Sequence, residues 1–297
     1  MPYRFFIVDV FTQRAFGGNQ LAVFPEADGL APATMQALAR EFNFGETTFV
    51  LAPTDPACTA RVRIFTPRAE LAFAGHPTIG TTAVLATLGR LRTGSGRAAA
   101  TLEEGVGPVA VEASVQEGPP FARFTLQPSL EMPGGAPGQA EAARVLSLDP
   151  AQVREAAFAS VGLPFCMVEL VDREAVDRAT LDQAAWQTVF ASAWSNNIFL
   201  FARGAATHGD LYARMFAPAL GMAEDPATGS ACAALAALMA HRVPRPAGTF
   251  DWRFEQGVRM GRPSVINATA VKQDGRVSSV SIGGHSVIVA EGRMDVA

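Results

Sequence analysis

The amino-acid sequence predicts an α/β protein of mixed sheets, organised as two related half-domains. Three observations point there: short β-type segments outnumber helices, a stretch dense in Pro and Gly lies near the middle of the 297 residues, and a motif of the first half recurs in the second.

The β-type segments Arg4–Asp9, Leu21–Pro25, Thr47–Ala52, Ala60–Thr66 and Val109–Ser114 are alternating or apolar and rich in Val, Ile, Phe and Thr. That composition suits a half-buried pleated surface. Ala33–Glu41, after the proline of Ala31-Pro32, reads as a helix; Thr78–Leu88 reads as a second, buried one, opened by Pro77 in its first turn and closed by Gly89. Gln127–Gln139 holds Pro128, Pro133, Gly134, Gly135, Pro137 and Gly138, the densest cluster of breakers in the chain. The domain boundary is placed ahead of it, near residue 118. This gives half-domains 1–118 and 119–297, with a return of the final strand to the first half left open.

The repeat is the most informative feature. Phe65-Thr66-Pro67 precedes His76-Pro77-Thr78-Ile79-Gly80-Thr81 and an apolar helix, and Phe216-Ala217-Pro218 precedes Asp225-Pro226-Ala227-Thr228-Gly229-Ser230 and another, Ala231–Met239. A fainter echo sets Gly18-Asn19-Gln20 before Leu21–Phe24 against Gly162-Leu163-Pro164 before Phe165–Leu170.

A helix that opens with Pro and Gly beside hydroxyl residues leaves backbone N–H groups unpaired and its positive dipole end outward, which suits a carboxylate or an oxyanion. Two such starts facing each other make an anion pocket. Either copy alone is also an ordinary helix start. What singles out the pair is an ionisable side chain, His76 and Asp225, just before each proline in a stretch otherwise built to be buried. Glu46, hemmed by Phe44, Gly45 and Phe49 where a helix gives way to an apolar strand, is the third candidate. Partial desolvation disfavours its charged form and moves it toward acid/base work. Glu103, Glu104, Asp172, Asp177 and Asp251 read as solvated faces.

With 49% hydrophobic and 18% charged residues and a formal net charge of -4, the chain reads as a globular protein. No Lys/Arg block recruits nucleic acid or an anionic membrane. The apolar stretch Ala231–Ala240 is too short to span a bilayer, which needs about 20 residues, and the N-terminus lacks a signal pattern, so a cytoplasmic protein is expected. Cys58, Cys166 and Cys232 lack disulfide or zinc spacing, and His76, His208, His241 and His285 lack a metal motif. There is no P-loop and no GxGxxG after a strand, so nucleotide cofactors are not expected.

Asp9-Val10-Phe11-Thr12 with Phe16-Gly17-Gly18-Asn19-Gln20-Leu21-Ala22-Val23, Glu46-Thr47-Thr48-Phe49-Val50, Phe65-Thr66-Pro67, Gly75-His76-Pro77-Thr78 and Glu224-Asp225-Pro226-Ala227-Thr228-Gly229-Ser230-Ala231 resemble the signature blocks of the PhzF family, named for a phenazine-biosynthesis isomerase. Gln256-Gly257 with Met260-Gly261-Arg262-Pro263-Ser264 resembles a further block. The resemblance implies the diaminopimelate-epimerase-like fold: two half-domains related by a pseudo-twofold axis, each a curled mixed sheet around a central helix, with the site in the cleft between them. It implies Glu46 as the proton-transferring acid/base, His76 and Asp225 flanking the substrate, and Gly75, Gly229, Ser230 and Asn19 binding its polar groups. It also implies a homodimer acting on a small acidic metabolite without a cofactor. Related racemases place a cysteine at each helix start, where this chain has His76 and Asp225, which disfavours a two-thiol mechanism. Family members commonly carry a small hydroxyl residue before the catalytic Glu, where this chain has Gly45. The competing readings are an epimerase, racemase or dehydratase of an amino or hydroxy acid, and a carboxylate-binding protein without turnover.

Overall fold

A computed structural model describes residues 2–94, 97–114, 118–204, 207 and 209–296. The chain forms two compact units, Met1–Leu126 with Gly283–Ala297, and Gln127–Ile282.

In the first unit the elements follow as β1 (Pro2–Val10), β2 (Asn19–Phe24), α1 (Pro32–Phe42), β3 (Glu46–Leu51), β4 (Ala60–Phe65), β5 (Glu70–Leu71), α2 (Gly75–Thr87), β6 (Arg92–Gly94), β7 (Arg97–Glu104), β8 (Gly107–Ser114) and β9 (Phe121–Leu126). The second unit adds α3 (Gln139–Val145), β10 (Val153–Ser160), β11 (Pro164–Leu170), α4 (Arg173–Arg178), α5 (Gln183–Val189), β12 (Ile198–Arg203), β13 (Leu211–Ala217), β14 (Met222–Asp225), α6 (Gly229–Arg242), β15 (Gly248–Gln256) and β16 (Ser264–Gln273). The last strand, β17 (Arg276–Asp295), contributes the residues from Gly283 onward to the first unit.

Within the first unit β1 and β2 form an antiparallel hairpin, β2 runs parallel to β3, β3 antiparallel to β4, β4 parallel to β7, and β7, β8 and β9 form a meander. β17 pairs with both β1 and β9, so the sheet closes on itself. α2 fills the interior. All its residues from Gly75 to Leu85 are buried, as a helix apolar all round must be. Gly80 permits the close fit: a Cβ there would stand 2.6 Å from Leu21 Cδ2 and 2.7 Å from Val10 Cγ2. The sheet's other face takes α1, which lays Met35, Leu38 and Ala39 on Phe24, Phe49 and Phe65.

The second unit repeats this order. β10 and β11 are an antiparallel hairpin, β11 is parallel to β12, β12 antiparallel to β13, β13 parallel to β15, and β15 antiparallel to β16. α6, rich in buried alanines, is its central helix. Equivalent registers recur: Ala60 pairs with Leu102, and Leu211 with Phe254. The motif residues Phe65 and Phe216 each lie five positions along from those pairs, so the sequence repeat is a repeat of topology.

The structure differs from the sequence reading in three places. The first unit extends to Leu126 rather than ending near residue 118, because β9 pairs with β8. α2 begins at Gly75, three residues ahead of Thr78, so His76 sits inside the first helical turn. Glu104 is not a solvated face: it is 5% exposed, because its strand ends beneath the first turn of α2.

Candidate active site

Glu46 opens β3 directly after the turn that ends α1, where Asn43 takes the left-handed conformation and Gly45 follows. Strand alternation sends Glu46 and Thr48 to the face that meets α2: Thr48 Oγ1 lies 2.8 Å from Thr81 Oγ1, and Glu46 Oε2 lies 3.4 Å from His76 Nε2. Both side chains are enclosed, with 14% exposure for Glu46 and 7% for His76. Asn19, first residue of β2 and buried, brings its Nδ2 to 3.3 Å from His76 Nδ1. This contact is on the ring nitrogen that faces away from Glu46.

A carboxylate so close ordinarily favours imidazolium. Here burial outweighs it, as it does an opposing backbone hydrogen bond at Gln20, and pushes His76 down to about 3. His76 is therefore neutral at physiological pH. Its Nε2 is buried without an aligned hydrogen bond, an arrangement that globular proteins rarely tolerate outside a functional site. Asn19, Glu46, Gly75 and His76 thus stand together in the first unit.

Asp225, Gly229 and Ser230 belong to the second unit. Asp225 ends β14, and its Oδ2 accepts from Thr228 Oγ1 at 2.5 Å. Gln256, fully buried at the end of β15, ties the turn down. Its Nε2 donates to Asp225 O at 2.8 Å and to Thr228 Oγ1 at 3.0 Å, while its Oε1 accepts from Thr228 N at 3.0 Å. One residue earlier in β14, Glu224 receives a two-pronged hydrogen bond from Arg214, both distances 2.9 Å. Arg214 also donates to the carbonyls of Val176 and Ala179 at 2.9 and 2.7 Å. The hairpin that carries Asp225 is thereby rigid. Gly229 begins α6 and is buried, and Ser230 follows half-buried in its first turn.

Sequence reasoning missed Gln256 as a structural partner of Asp225; Gln256-Gly257 was visible only as a motif block. It also missed Glu104, whose one readable signal was its place before Gly105, matching Gln256 before Gly257. The three thiols are buried, and burial pushes Cys166 up to about 12 and Cys232 well above its usual value. Neither carries thiolate at neutral pH. Among the described residues no group of three or more His, Cys, Asp or Glu could hold a metal ion, and His208 lies outside those residues. No described helix is long and apolar enough to cross a membrane.

The family model described as "Phenazine biosynthesis-like protein" matches residues 8–292. An uncharacterized isomerase of Mesorhizobium japonicum is 39% identical over 303 residues, covering 98% of each chain. The trans-2,3-dihydro-3-hydroxyanthranilate isomerase of Pseudomonas aeruginosa is 36% identical over 296 residues, covering 98% of this chain and 99% of that one. The crystal structure of a Bacillus anthracis phenazine biosynthesis protein of the PhzF family matches with a TM-score of 0.89 at 24% identity, over 100% of both chains. The chain thus belongs to the phenazine biosynthesis-like, or PhzF, family and is an isomerase of that family.

Proposed function

We propose that the protein isomerises a small carboxylate-bearing metabolite without a cofactor, with Glu46 removing a proton from one carbon and returning it to another. The observation that carries this reading is the enclosed Glu46–His76 pair, 3.4 Å apart with His76 neutral. A neutral imidazole beside the Glu46 carboxylate forms no ion pair that would hold the transferred proton off it. Glu46 then keeps the proton beside a neutral imidazole until it is returned. Asp225, backed by Thr228 and Gln256, is the second polar group of the reaction, and the helix starts at Gly75 and at Gly229-Ser230 offer N–H groups to the substrate's carboxylate. Asn19 orients His76.

The 36% identical relative is named trans-2,3-dihydro-3-hydroxyanthranilate isomerase, which supports a small carboxylate-bearing metabolite as the substrate class. The same reading carries a cytoplasmic homodimer, which light scattering and fractionation check.

The test is proton wash-in from deuterated water on a substrate that turns over. Glu46→Gln keeps shape and hydrogen bonding, so binding should change little while turnover falls by about 100-fold to 10,000-fold. Exchange that survives Glu46→Gln and disappears with Cys232→Ser would hand the reaction to a thiol. A ligand bound equally by both proteins and converted by neither would make this a binding protein.

A further inference from the structure

Glu104 is a buried carboxyl that the proposed reaction does not use. Its Oε1 lies 2.8 Å from Thr78 Oγ1, in the helical turn that carries His76, and the same hydroxyl lies 2.8 Å from Ala74 O. A hydroxyl has one hydrogen and a carbonyl can only accept. Two other threonines of α2 indicate where that hydrogen goes: Thr82 donates to Thr78 O at 2.7 Å and Thr87 to Ala83 O at 2.9 Å, each to the carbonyl four residues back, while Thr81 meets Thr48 across the sheet. Thr78 does the same toward Ala74. The contact between Thr78 and Glu104 then needs its hydrogen from Glu104.

Two further observations agree. Glu104 Oε2 is buried without a hydrogen bond, costly for an anionic oxygen and far cheaper for the carbonyl oxygen of a neutral acid. The second unit also holds a neutral donor at the equivalent place. β4 pairs in parallel with β7 at Arg61 and Glu103, and β13 with β15 at Tyr212 and Glu255. The next residues are Glu104 before Gly105 and Gln256 before Gly257. There the Gln256 amide donates to Thr228 Oγ1 at the start of α6.

We propose that Glu104 is a protonated carboxylic acid, the counterpart of Gln256, and that its O–H donates to Thr78 and positions the turn of α2 that carries His76. Burial pushes Glu104 up to about 8. On the neighbouring elements, α2 carries neutral His76 and β4 carries Arg61 and Arg63, which pair with Glu103 and Glu70, while the exposed Glu112 of β8 and the Arg123 of β9, over the Phe121 ring, lie farther along the sheet, Glu112 opposite Ala99. None of these charges contributes to Glu104's shift. Ionisation above that range replaces a donor by a buried anion beside Thr78 and loosens the turn.

The test is carbon-13 NMR of protein labelled at the glutamate carboxyl carbons, recorded without ligand as pH is raised. One neutral carboxyl should persist at pH 7 and titrate near 8. It should survive Glu46→Gln and vanish with Glu104→Gln. Glutamates that are all ionised at pH 7 in the unmutated protein, or a neutral signal untouched by Glu104→Gln, overturn the assignment. The role of positioning rests on His76 and Glu46 forming the active site, and is read separately from rates. Glu104→Leu should lower kcat at least tenfold and Glu104→Gln should restore it, with the loss of rate above about pH 8 seen only in the unmutated enzyme. An alkaline fall that persists in Glu104→Gln overturns the positioning role.

Discussion

Shifting the pH in either direction is expected to destabilise the first unit, with a plateau between. His76 is pushed down from 6.5 to about 3 and Glu104 up from 4.5 to about 8. Between about 3 and 6.5 the unfolded chain holds the extra proton at His76, so its contribution is full above 6.5 and lost as pH falls toward 3. Between 4.5 and about 8 the native state holds the extra proton at Glu104, so that contribution is full below 4.5 and lost as pH rises through 8. Each slope is about 1.4 kcal/mol per pH unit. From about 4.5 to 6.5 the two have opposite sign and cancel. Integrated over its own window, each fall is bounded at about 5 kcal/mol, a large part of the 5–15 kcal/mol typical of a domain. Trp186, Trp194 and Trp252 all lie in the second unit, so their fluorescence reports that unit. Hydrogen exchange read by mass spectrometry at a series of pH values, following α2 and β7, reports the first. Glu104→Gln should remove the alkaline fall and His76→Gln the acid one. A single optimum near neutrality, with the alkaline slope unchanged in Glu104→Gln, would refute the reasoning.

Gly80→Ala sets a helix-propensity gain of about 1 kcal/mol against overpacking that costs about 1–3 kcal/mol; because Leu21 and Val10 are fully buried and cannot retreat, a net loss of about 1–2 kcal/mol and a melting temperature lower by several degrees are expected by calorimetry. Gln256→Leu strands Thr228 N–H and the Asp225 carbonyl, so a loss of about 3 kcal/mol in urea unfolding should accompany a fall in kcat. Gly45→Ser meets open space, with no atom within 4 Å of a Cβ there, and should change stability by less than about 0.5 kcal/mol while placing a hydroxyl next to Glu46, its effect read from KM. Cys232→Ser should cost about 1–2 kcal/mol through burial of a hydroxyl and leave turnover within a fewfold.

The repeated Pro-x-x-Gly core announced both central helices because burial on all sides demands a run such as Ala231–Met239, legible without tertiary knowledge. Glu46 and His76 were legible for a related reason, since a lone titratable residue among apolar ones departs from its local pattern. Glu104 was not. Its neighbours Glu103, Gly105 and Gly107 look like an exposed turn, and its burial comes from α2 arriving across a parallel pairing between residues about 40 apart in the chain. Gln256 was hidden likewise: three hydrogen bonds to a turn some 30 residues earlier leave no mark on composition. Phe121–Leu126 fall beyond a boundary drawn near residue 118, yet belong to the first unit because β9 pairs with β8: strand pairing, which breaker residues do not reveal, decides membership.

β17 gives the two units unequal histories on the ribosome. The second unit is one uninterrupted stretch, Gln127–Ile282, and all of it has been made before Gly283. The first unit needs β1 paired with the closing part of β17, Pro2 against Asp295 and Val10 against Ser286. Its earlier strands must wait with an open edge beside β1 while some 280 residues are added, and such edges are where chains mispair. The second unit is therefore the one able to complete first during synthesis, and the sheet that carries Asn19 and Glu46 closes only when the last strand zips in.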